Sequence, residues 1–128
     1  MAGPRLALPT VFVVDDEVYI QELYQHMLPA GGFEVAGSAY NGSEAVTIYP
    51  TISPVPDLII MDHRMPVKNG VEATREILLH NPSARIVMIS ADATVREKAK
   101  AAGAVEFIEK PFEMGDLFVK LRSCLRTP

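Results

Sequence analysis

Apolar residues along this chain gather in five short runs, and the segments between the runs repeat at helical spacing. Thr10-Val11-Phe12-Val13-Val14, Leu58-Ile59-Ile60-Met61 and Ile86-Val87-Met88-Ile89 are uninterrupted and rich in β-branched side chains. Such runs predict strands buried on both faces, the pattern of a parallel sheet covered by helices. Residues 33–39 and 105–110 alternate more weakly, which predicts less buried strands toward the sheet edges.

The helical segments follow in turn. Ile20, Leu23, Tyr24, Met27 and Leu28 form one apolar stripe, with Gln21, Glu22 and Gln25 assigned to the opposite side, and Pro29 with Gly31-Gly32 predicts the stop. Asn41-Gly42-Ser43-Glu44 opens a short second helix that Ala45, Val46 and Tyr49 continue. Pro50, Pro54 and Pro56 then predict an extended surface loop leading to the Leu58 run. Val71, Thr74, Ile77 and Leu78 make a third helix, ended by Asn81-Pro82. An alanine-rich fourth helix, from about Thr94 to Ala102, carries little apolar bulk and is expected to shift most easily. Met114, Leu117, Phe118, Leu121, Cys124 and Leu125 make the fifth. Five βα units in alternation predict an α/β domain, a doubly wound parallel five-stranded sheet with right-handed crossovers.

Length and charge narrow this picture. At 128 residues the chain is one domain in size, read as a loose leader over 1–9, a folded unit over 10–126 and a tail over 127–128. A net charge of −4 with mixed signs offers no basic face for nucleic acid. The opening residues are broken by Pro4 and Pro9 and hold no sustained apolar stretch, so neither a signal peptide nor a membrane span is expected, and a cytoplasmic protein is. The single cysteine, Cys124, falls in a helical stripe and reads as a small buried hydrophobe.

Candidate chemistry lies where the strands end. In a parallel sheet all carboxyl ends share one edge, where open α/β sheets place their ligands. The first strand ends in Asp15-Asp16-Glu17, the third in Asp62, the fourth in Ser90 and the fifth in Lys110. Clustered carboxylates repel one another, and a hard divalent cation with oxygen ligands, Mg²⁺, is the economical neutraliser. A carboxylate in such a crevice can act as a nucleophile on phosphorus, with a lysine and a hydroxyl to hold the phosphoryl oxygens. His63 follows Asp62 on an extended backbone and is expected to point away from the reacting group.

Val13-Val14-Asp15-Asp16-Glu17, Met61-Asp62 with Met65-Pro66 and Asn69-Gly70, Ser90-Ala91, and Lys110-Pro111-Phe112 together resemble the receiver domain of two-component response regulators. The resemblance spans about residues 10–126. It implies a (βα)5 flavodoxin-like fold of strand order 2-1-3-4-5, and Asp62 as a phosphoacceptor supplied by a histidine kinase or histidine phosphotransfer protein. It further implies Asp16 as an inner Mg²⁺ ligand, Asp15 as a ligand through water, and the Arg64 backbone carbonyl as another. Ser90 and Lys110 would engage the phosphoryl group, and the Lys110-Pro111 bond would be cis. Phe107 takes the position of an aromatic switch, without the hydroxyl that tyrosine would bring. Arg64 and Asp92 flank the route of water to phosphorus and are candidates for a hydrolysis gate.

The expected output is a change of surface at the fourth helix, fifth strand and fifth helix, read by a downstream effector or a fused output domain, or used in a phosphorylation-dependent dimer. On this reading the chain catalyses only its own phosphorylation and dephosphorylation. Two other classes fit parts of the pattern. A flavodoxin-like cofactor binder needs a phosphate-cradling loop after the first strand, where Asp15-Asp16-Glu17 would repel a flavin phosphate. A Mg²⁺-dependent phosphatase with an aspartate nucleophile needs a separate acid or base, which Asp62-His63-Arg64 does not convincingly supply.

Overall fold

The computed structural model describes residues 7–126, so residues 1–6 of the expected leader and the 127–128 tail lie outside the described residues. Its elements alternate as β1 (Thr10–Val14), α1 (Val18–Ala30), β2 (Glu34–Ala39), α2 (Gly42–Ile48), β3 (Leu58–Asp62), α3 (Gly70–His80), β4 (Ile86–Ser90), α4 (Arg96–Ala102), β5 (Glu106–Glu109) and α5 (Met114–Ser123). All five strands are parallel in the order β2-β1-β3-β4-β5, as the pattern and the resemblance predict. The weakly alternating runs occupy the two edges, because an edge strand has one neighbour fewer to cover it.

Side chains of successive strand residues point to opposite faces, and this divides the core in two. Phe12, Val14, Ile59, Met61, Ile86, Met88 and Phe107 pack under α2, α3 and α4. Val11, Val13, Leu58, Ile60, Val87, Ile89 and Ile108 pack under α1 and α5, where Cys124 is buried among Leu117 and Leu121. Among the described residues no helix is long and apolar enough to cross a membrane.

Three local readings are corrected, while helix α1 runs through Pro29 to Ala30 and stops at Gly31 as expected. The missing amide would have served the Gln25 carbonyl, and Gln25 is exposed, so water can take its place. The face of α1 is turned: Gln21, Tyr24 and Leu28 are buried, whereas Leu23 is 39% exposed. Pro50 sits inside a short 3-10 turn, Tyr49–Thr51, before the chain becomes irregular. The fourth helix starts later than its alanine pattern suggests, because Asp92 caps a 3-10 turn, Ala93–Val95, ahead of it.

Candidate functional site

The strand order reverses beside β1, so the β1 and β3 ends open a crevice on the carboxyl edge of the sheet. Asp15 follows β1 directly and is 3% exposed, Asp62 is the last residue of β3, and Ser90 is the last of β4 and also buried. Lys110 follows β5 and is tied to the neighbouring strand by its N–H, which donates to the Ser90 carbonyl at 3.0 Å. The Lys110-Pro111 bond is cis, as the resemblance implies. The crevice, about 500 Å³, is lined by Glu17, Asp62, Arg64, Ser90, Asp92 and Lys110.

Carboxylate oxygens of Asp15, Asp16 and Asp62 all lie within 4.8 Å of one another. The Lys110 ammonium stands 3.7 Å from Asp62 Oδ1 and 3.9 Å from Asp15 Oδ2. Backbone amides contribute too: Glu17 N donates to Asp15 Oδ1 and His63 N to Asp62 Oδ1, each at 2.9 Å. These donors do not neutralise the cluster. Burial pushes the Asp62 carboxyl up to about 6 against the pull of Lys110, with Asp15 adding to the rise. Asp15 is pushed up for the same first reason, and the Glu17 amide and Lys110 oppose it. An all-oxygen, incompletely neutralised donor set of this kind fits a hard divalent cation.

The loop after β3 is held against the site by two close approaches. A Cβ on Gly70 would lie 2.1 Å from the Asp62 carbonyl oxygen, and Gly70 N donates to the His63 carbonyl at 2.9 Å. Asn69 then starts α3 with a reciprocal capping box, its side chain accepting from Glu72 N while Glu72 accepts from Asn69 N. The Asn69-Gly70 pair thus folds the loop back onto the Asp62 backbone. At the loop's tip Lys68 N donates to the Pro66 carbonyl at 2.7 Å, a tight three-residue turn that leaves Val67 at φ 69° and 83% exposed.

Arg64 and Asp92 meet across the crevice mouth, Nη2 to Oδ2 at 3.0 Å. Asp92 N donates to Ser90 Oγ at 3.1 Å, which links the bridge to the buried hydroxyl. Hydrogen bonds from Thr94 and Arg64 hold the Asp92 carboxyl down at about 2, so it stays ionised. His63 lies beyond the bridge, in an adjoining hollow with Asp16, Asn69 and Lys98. Burial and the Arg64 charge hold its imidazole below the usual range, so it is neutral at pH 7. Phe107 is 5% exposed in β5, with the Arg96 guanidinium 4.8 Å from its ring centre.

Sequence reasoning missed one polar residue at this edge. Gln21, assigned to the solvent side of α1, is 2% exposed and reaches under the acidic turn. Its Nε2 lies 2.8 Å from the Ala39 carbonyl oxygen, 3.1 Å from that of Asp15 and 3.2 Å from that of Val13. A polar residue three and seven positions before buried Tyr24 and Leu28 was the available signal.

A family model described as the response regulator receiver domain matches residues 11–122. Chemotaxis protein CheY of Thermotoga maritima is 42% identical over 106 residues, covering 80% of this chain and 86% of that protein. Response regulator TrrA of Thermotoga maritima, solved in complex with Mg²⁺ and BeF, aligns with a TM-score of 0.83 at 31% identity, over 92% of this chain and 100% of that one. CheY in the CheX-CheY-BeF3-Mg²⁺ complex from Borrelia burgdorferi aligns with a TM-score of 0.84 at 28% identity, over 90% and 87% of the two chains.

Proposed function

The chain belongs to the response regulator receiver domain family, and we propose that it works as a phosphorylation-activated signalling module with Asp62 as phosphoacceptor. The observation that carries this reading is the convergence of Asp15, Asp16, Asp62, Ser90 and Lys110 on one sheet edge, with the three carboxylates within 4.8 Å and Lys110 3.7 Å from Asp62. Family membership selects this reading over the flavodoxin-like binder and the phosphatase.

In the proposed reaction an Asp62 carboxylate oxygen attacks the phosphorus of a phosphohistidine on a histidine kinase or histidine phosphotransfer protein. The new P–O bond forms as the P–N bond breaks, and the electron pair leaves with the imidazole nitrogen. Asp16, Asp15, Asp62 and the Arg64 backbone carbonyl would hold Mg²⁺, which supplies charge stabilisation to the phosphoryl oxygens when bound. Lys110 would pair with another phosphoryl oxygen, and the Ser90 hydroxyl would donate to a third. Moving Ser90 toward that oxygen would draw on Asp92, whose N–H is bonded to it, and on the end of β4, whose Met88 pairs with buried Phe107. That is the proposed route to the α4-β5-α5 face, where an effector, a fused output domain or a second copy would read the change. Arg64 and Asp92 lie across the approach of water and would lengthen the life of the aspartyl phosphate.

Incubation with acetyl phosphate and Mg²⁺ should add one phosphoryl group, detected by intact-protein mass spectrometry. EDTA or Asp62→Asn should abolish the addition, and equal labelling of Asp62→Asn would sink the assignment.

A further inference from the structure

Gln21 is the one wholly polar side chain on the buried face of α1, where Tyr24 and Leu28 are its neighbours along the stripe. Its amide nitrogen faces three carbonyl oxygens at the ends of β1 and β2, those of Val13, Asp15 and Ala39. The opposite assignment of the amide would aim its oxygen at three other oxygens, so the N–H₂ end must face the strands. Two hydrogens cannot fully serve three acceptors, and the amide oxygen is itself buried without a partner among the described residues. An unpartnered buried oxygen destabilises a fold, and an apolar side chain of the same length would avoid it.

What the amide holds explains its presence. The Ala39 carbonyl also accepts from Asp15 N at 3.1 Å, so Ala39 and Asp15 are joined both directly and through Gln21. Asp15 in turn accepts from Glu17 N, which fixes the turn that carries Asp16. Gln21 therefore grips the backbone immediately beneath the acidic turn, and its hydrogen bonds among the described residues go to carbonyls rather than to carboxylates.

We propose that Gln21 is a positioning residue for the divalent cation: it holds the Asp15-Asp16 backbone so that both carboxylates stay within reach of Asp62 despite their mutual repulsion. This inference rests on the reading of the acidic cluster as a cation site. Without the amide, the repelling carboxylates gain freedom to spread, and the cation must then pay to reassemble them. Groups that orient metal ligands from behind typically alter affinity by roughly 10–100-fold, and Gln21 acts through the backbone, so the lower end, roughly 10-fold, is expected.

The test is a Mg²⁺ titration of the full chain by amide NMR, following Asp16 and Glu17, for wild type, Gln21→Met and Leu28→Ala. Methionine keeps the length and removes the donors; Leu28→Ala weakens the same helix face without touching the strand-end carbonyls. Supporting results are wild-type binding, a roughly 10-fold weaker Gln21→Met, and a Leu28→Ala that is less stable but binds like wild type. Unchanged affinity in Gln21→Met overturns the positioning role, as does an equal loss in both variants, which would make Gln21 a stability residue only. Wild type that fails to bind Mg²⁺ overturns the cation-site reading itself, and the inference with it. Should Gln21→Met not fold, Gln21→His, which keeps a ring N–H donor, replaces it, and an affinity equal to wild type together with loss of the strand-end hydrogen bonds overturns the role.

Discussion

Replacing Asp62 by asparagine should make the metal-free protein more stable, although it removes the residue proposed to carry function. The side chain is 13% exposed, and burial raises its carboxyl from 3.8 to about 6 even with Lys110 at 3.7 Å. Between those values the folded protein keeps a proton that the unfolded chain has lost, so stability falls as pH rises from about 4 to about 6 and stays lowered above it. At ~1.36 kcal/mol per pH unit the displacement corresponds to about 3 kcal/mol, which solvent entering the open crevice would cut to about 1–2 kcal/mol. Asparagine keeps an oxygen to accept from His63 N, and Lys110 keeps Asp15, so little is lost in return. The expected gain is roughly 3–8 °C in Tm at pH 7.5 in EDTA. It should shrink as pH falls toward 4, where the folded wild type is protonated at this site and the unfolded chain is only partly ionised. Saturating Mg²⁺ should narrow or reverse the difference, since a ligand at 100 times its Kd adds ~2.7 kcal/mol to the state that binds it. Thermal and urea unfolding by circular dichroism across pH 4–8 would read all of this. An Asp62→Asn protein less stable than wild type at pH 7.5 in EDTA, or a gain independent of pH, would refute the argument.

The bridge and the strained turn give further expectations. Arg64→Ala and Asp92→Ala should each speed loss of the phosphoryl group by roughly a few-fold, the scale set by an exposed ion pair, and the double variant should be no faster than the quicker single one. Unchanged hydrolysis in both single variants, at fixed Mg²⁺ and ionic strength, removes the gate. Val67 holds a β-branched side chain at φ 69° while packing against almost nothing, so Val67→Gly should relieve about 1–2 kcal/mol of strain, offset by about 0.5–1 kcal/mol of added freedom in the unfolded chain. A net gain of about 0.5–1 kcal/mol in urea unfolding is expected; a net loss would show that the turn is not strained.

The central strands were legible because nothing else in the chain competes with their pattern. Uninterrupted runs such as Leu58-Ile59-Ile60-Met61 have no polar face to expose, so they must lie between two helical layers, and the structure buries all four. Helix α1 was harder. Periodicity weighs polarity, and by polarity Leu23 belongs inside and Gln21 outside. The structure reverses them because the carboxyl edge of the sheet under α1 presents strand-end carbonyls, which Gln21 can serve with donors and a methyl group cannot. Those carbonyls arise from where β1 and β2 end relative to one another, a tertiary fact that no window of the sequence contains. Pro29 fits inside the last turn because the carbonyl left without its amide belongs to exposed Gln25, which water can reach.

The candidate site was legible as a list of residue types at strand ends, and its electrostatic state was not. Each polar ending is ordinary; parallel topology is what turns four of them into one crevice. The sequence brings Lys110 near Asp62 but cannot say that a single ammonium at 3.7–3.9 Å leaves Asp62 well above the usual carboxylate range. Under the proposed function, that residual imbalance would shape the response to a cation. A ligand shifts a two-state equilibrium only by its differential affinity for the two states. A site already neutralised would respond weakly to a cation. One kept short of positive charge would instead be stabilised by a divalent cation bound there. Strengthening the site in isolation, for example with a second lysine in place of Glu17, should therefore stabilise the metal-free fold while weakening its response to Mg²⁺.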